Sequence, residues 1–146
     1  MTMISTTSQS DLAERNTTSV TFSQEIPDVI ESRFLRYPNK WFLTTPGGSC
    51  SCGFRYVERW NVDLLGFSQP QEWSPEDEDD ISATRAAFEV ITSIIRDGDA
   101  VDSVTAWMQD EEMSHELVGD IAFDLSEIGI DRFRFFDGYR FEYKCT

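Results

Sequence analysis

At 146 residues the chain matches one ordinary domain, and eleven Phe, four Trp and four Tyr supply enough large apolar surface to close a core without disulfides or metal. Twenty-seven acids against twelve bases leave a formal net charge of −15, a field that repels phosphate backbones and anionic lipid and so argues against direct nucleic-acid or membrane-surface binding. No stretch approaches the roughly 18 consecutive apolar residues of a membrane span, residues 1–24 lack the basic and apolar regions of a secretory leader, and three cysteines make a poor disulfide framework, so thiols in the cytoplasm are expected.

In chain order, residues 1–20 are Ser/Thr-rich, poor in large apolar groups and aperiodic, which predicts a mobile tail ahead of a single globular α+β domain over 21–146. From Glu25 onward, Ile26, Val29, Ile30 and Phe34 fall on one helical face, with Pro27 in a first turn, predicting a short N-terminal helix that stops before Pro38. Two β-rich runs, Trp41–Thr45 and Ser49–Val57, flank Pro46-Gly47-Gly48 and predict a hairpin. In its second strand Cys50, Cys52, Phe54 and Tyr56 share the buried face. Residues 57–73 read as a short strand and an irregular crossing segment.

The best-defined element is a helix over about 75–96. Ser74 is placed to cap it, Pro75 to open it, and Glu76, Asp77 and Glu78 to meet the positive end of its dipole. Ile81, Phe88, Ile91 and Ile95, with Ala87 and Ile94 alongside, form its apolar stripe, and Gly98 stops it. Val101–Met108 and Val118–Leu125 read as strands, the second presenting Ile121, Phe123 and Leu125 on one face. The Asp137-Gly138 pair predicts a two-residue hairpin turn between Arg132–Phe136 and Tyr139–Tyr143, with a short helix over 130–136 as the other reading. The predicted fold class is α+β: a small antiparallel or mixed sheet packed against one long amphipathic helix, with a shorter N-terminal helix.

No catalytic or metal motif stands out. Cys50-x-Cys52 lacks zinc spacing and a second pair, since only Cys145 and His115 remain, so the thiols read as small core residues. His115, the single histidine, sits in a charged connection and reads as a surface residue. Five acids in a row, Glu76–Asp80, point to different sides of a helix and do not converge on one ion. Arginines interleaved with aromatics over 132–141 resemble a base-stacking platform, but against a charge of −15 they read as a core-facing strand pair whose arginines point outward onto the acids.

The acids themselves carry the functional expectation. Residues 60–131 hold nineteen acids and only Arg85 and Arg96, whereas residues 1–59 balance six against six. That confinement predicts a non-enzymatic acidic protein-interaction module, of the inhibitor or immunity type, for a partner with a basic surface. Its candidate contacts are Glu76, Asp77, Asp79, Asp80, Asp110, Glu111 and Glu112, with Trp73 as an aromatic anchor; no cofactor, metal or catalytic residue is assigned. The competing readings are a small enzyme using a cysteine or paired carboxylates, and a subunit of a larger cytoplasmic assembly.

Overall fold

The computed structural model describes residues 1–45, 53–57, 76–106, 117, 119–136 and 138–145. Within them the elements run β1 (Thr2–Thr6), β2 (Thr21–Ser23), β3 (Asn39–Thr44), β4 (Tyr56–Val57), α1 (Glu78–Arg96), β5 (Val101–Thr105), β6 (Gly119–Asp124), α2 (Leu125–Ile128), β7 (Phe135–Phe136) and β8 (Tyr139–Lys144), with 3-10 turns at Leu12–Arg15 and Ile30–Phe34. Six strands form one mixed sheet in the order β2-β3-β1-β5-β8-β6, antiparallel except for the β8–β6 pair. A separate two-stranded parallel sheet joins β4 to β7. The α+β class with one long helix is therefore present, and the sheet is of the mixed kind.

Three expectations are corrected. The segment expected as a mobile tail contains β1, an interior strand paired with both β3 and β5 and buried along its whole length. Its hydroxyls are not a sign of solvation: Thr6 donates to the Ala100 carbonyl at 2.7 Å, and Thr2 shares hydrogen bonds with Thr105 and Tyr56. The N-terminal helix is only the 3-10 turn Ile30–Phe34, entered through an extended Val29 that offers no side-chain cap. At about three residues per turn the stripe drawn for a 3.6-residue period does not hold. Leu35 is buried instead, while Ile30 and Phe34 remain exposed. The third concerns the chain end, where Gly138 turns at positive φ but no hairpin forms. Strand β7 pairs with β4, and β8 inserts between β5 and β6.

The first predicted hairpin also does not form across the described residues, because β3 already has β2 and β1 on its two edges. Cys50, Cys52, His115 and the segment 58–73 lie outside those residues.

Alternation along the strands gives the main sheet two distinct faces. One carries Ile4, Trp41, Leu43, Val101, Phe123, Phe141 and Tyr143 and packs under α1. There α1 buries Ala83, Ala87, Phe88, Val90, Ile91 and Ile94, so the expected stripe is present, with Ile81 and Ile95 at its half-buried margins. The helix ends as expected at Gly98, whose φ of +96° suits glycine and strains other residues. Aromatic contacts connect helix and strands: the ring of Phe88 lies tilted 5.3 Å from that of Phe133, while Phe133 and Phe135 at 5.1 Å and Phe123 and Phe141 at 4.6 Å meet edge-on.

Ile91→Ala is expected to cost about 2–5 kcal/mol, because Ile91 is fully buried and its loss leaves a cavity. The exposed Glu89→Ala on the same helix should stay within about 0.5 kcal/mol of wild type. Urea unfolding of the two variants checks this, and equal losses would refute the assigned helix facing.

Candidate partner-binding surface

The start of α1 gathers the carboxylates that the sequence singles out. Asp77, not Ser74, caps the helix: its carboxylate accepts a hydrogen bond from the Asp79 N–H at 2.8 Å, and its carbonyl accepts from Ile81 at 3.1 Å. Glu78, Asp79 and Asp80 complete the first turn, where the helix dipole favours negative charge. Asp77, Glu78 and Asp79 are exposed and Asp80 is half-buried. Burial, then the charges of Asp77, Asp79 and Glu76, push the Asp80 carboxyl above its ordinary value.

Glu76 stands apart from this group. It accepts from Arg55 Nε and from Arg134 Nη1, and its side chain is 22% exposed. Arg55 is almost wholly buried and also donates to the Asp131 carbonyl at 2.8 Å, while its backbone N–H donates to Thr84 Oγ1 on α1 at 2.8 Å. Burial lowers the Arg55 pKa, with the Glu76 carboxylate acting in the opposite sense. Glu76 thus clamps the β4–β7 pair to the start of α1, an internal task that leaves it less available to a partner. Trp73, Asp110, Glu111 and Glu112 lie outside the described residues, so the structure brings together only Glu76, Asp77, Asp79 and Asp80 of the proposed set.

The opposite face of the main sheet holds a second charged cluster, which sequence reasoning missed. Arg140, expected to point outward, is buried: its side chain is 2% exposed, and that of Asp102 beside it is 0% exposed. Arg140 Nε donates to Asp102 at 2.7 Å, Nη1 meets Asp120 at 3.4 Å, and Nη2 donates to Glu142. Asp102 also accepts from Ser5 Oγ and from the Arg36 backbone N–H at 2.9 Å. Tyr37 donates to Glu142, and Arg140 sits 5.9 Å from its ring centroid. The register explains the grouping, since Ser5, Asp102 and Glu142 lie in one cross-strand row and Val104, Arg140 and Asp120 in the next. Burial alone would lower the Arg140 pKa, but Asp102 and Glu142 outweigh it and raise the value. With each nitrogen of the guanidinium engaged, this cluster is a structural tie, not a recognition site. The available signal was a charged residue inside each of two strong β patterns, Val101-Asp102-Ser103-Val104 and Tyr139-Arg140-Phe141.

Arginine allocation decides which acids remain free to act. Arg36, Arg55, Arg85, Arg134 and Arg140 are bound to Asp120, Glu76, Asp131, Glu76 and Asp102 respectively. Asp77, Glu78, Asp79 and Asp80 take no ion pair among the described residues. The same residues contain no cluster of three or more His, Cys, Asp or Glu side chains arranged for a metal, and no helix long and apolar enough to cross a membrane. No family model, curated protein or solved structure matches the chain.

Proposed function

We propose that the chain is a non-enzymatic acidic interaction module that docks a protein with a basic surface, using the first turn of α1 as the electrostatic part of its contact. The supporting observation is the allocation of charge: nearby arginines are spent on other carboxylates, while Asp77, Glu78, Asp79 and Asp80 are left without a cationic partner among the described residues. Burial first, and then the charges of Asp77, Asp79 and Glu76, raise the Asp80 carboxyl, and a partner's Lys or Arg side chains at this turn would act in the opposite sense. The net charge of −15 disfavours nucleic acid as that partner. An inhibitor or immunity protein acting in the cytoplasm is the form of module that fits this composition.

The test replaces Asp77, Asp79 and Asp80 together with Asn. Asn caps a helix about as well as Asp, so α1 should persist. Asp80 binds its proton more tightly folded than unfolded; its contribution to stability is present below the ordinary Asp range and is lost as pH rises through its raised folded value. Near neutral pH the triple variant should consequently be as stable as wild type or slightly more stable. Immobilised wild-type chain should retain a basic protein from the native source at low salt and release it as salt rises, and the triple variant should retain much less. Equal retention of that protein by both chains refutes the assignment of the contact to α1.

A further inference from the structure

At the far end of α1, a groove of about 600 Å³ opens between the helix, α2 and the end of β8. Phe88, Leu125 and Ile130 give it apolar walls, and Arg96 in the last turn of α1 contributes a cation with no ion pair among the described residues. Thr92 lies between them on the same helix. It is 8% exposed and contributes little open surface to the groove. The volume falls within the range of small-ligand sites, about 300–1,000 Å³, and a few polar groups over apolar walls are their usual composition.

We propose that this groove binds a small amphipathic acid, with its apolar body against Phe88, Leu125 and Ile130 and its acidic group at Arg96. Glu89, two turns back along the same wall, sets the orientation by repelling the acid from that end. The carboxylates at the start of α1 do not oppose this binding. A 19-residue helix spans about 28 Å, several times the ~8 Å screening length at physiological salt. The site is thus independent of the partner surface proposed above.

Two fluorescent probes test it on the full chain: 1-anilinonaphthalene-8-sulfonate, which has rings and an acidic group, and N-phenyl-1-naphthylamine, which has the same rings without the acid. The sulfonate should bind saturably at one site and about tenfold tighter than the neutral probe, as expected for one charge-assisted contact. Arg96→Gln should remove that difference, and Ser126→Trp, a bulky group at an exposed position on the groove wall, should weaken both probes about tenfold. Bound sulfonate should also slow alkylation of the Cys145 thiol in the groove, followed by peptide mass spectrometry. Far-UV circular dichroism confirms that both variants are folded. Equal affinity for the two probes, or sulfonate binding unchanged in both folded variants, overturns the proposal.

Discussion

Removing residues 1–6 is expected to unfold the chain. Strand β1 fills the gap between β3 and β5, each of its five residues pairs on both sides, and each is buried. Met3 belongs to the apolar cluster on one face of the sheet, with Phe42 and Val104, and Ile4 to the core under α1 on the other. Burying two such side chains contributes about 1.5–3 kcal/mol each, and the ladder hydrogen bonds on two edges add to that. The sum is comparable with the whole stability of an ordinary domain, about 5–15 kcal/mol. The truncation would also strip Ser5 from Asp102 and leave β3 and β5 with open edges. A truncated chain should lack a cooperative thermal transition. One that melts at the wild-type temperature would show that the strand is dispensable.

Arg140→Ala should cost about 3–5 kcal/mol, the range for breaking a buried ion pair from one side. The damage would come less from the lost attraction than from the stranded Asp102 carboxylate, which has no exposure to water and would keep only the Ser5 and Arg36 N–H donors. Adding Asp102→Asn to Arg140→Met removes the charge and restores apolar volume, so the double variant should recover a large share of the loss. A urea-denaturation cycle over the single and double variants separates the two contributions. Single variants within about 0.5 kcal/mol of wild type would mean that water reaches the pair.

How much of this was legible in the sequence depended on how local the determining physics was. Helix α1 could be read because its periodic apolar residues, acidic first turn and terminal Gly98 all lie within one segment. Its start was misplaced to Ser74 because Asp77, which caps as well, sits among other acids. Strand β1 was hidden because Thr-Met-Ile-Ser-Thr shows no alternation of apolar and polar residues. Both of its faces are buried, and its hydroxyls find partners about 100 residues away, such as Thr105 and Asp102. The Asp137-Gly138 pair did mark a turn, but turn chemistry sets only the local chain reversal. The pairing of β8 with β5 and β6 is decided by long-range packing of Phe141 and Tyr143. Of the candidate site, the acids at the start of α1 were legible as charge. The loss of Glu76 to Arg55 and Arg134 was not, because those arginines stand just ahead of β4 and β7, far from Glu76 along the chain.

The most direct measurement is the association rate of the captured basic partner with the wild-type chain and with the Asp77→Asn, Asp79→Asn, Asp80→Asn variant, at low and at physiological salt. If the first turn of α1 steers the encounter, the variant associates more slowly, by about tenfold at low salt, and the gap narrows as screening shortens the reach of the field. Identical association rates for the two folded chains at both salt concentrations would contradict the account and leave Asp77, Asp79 and Asp80 as a solvated face.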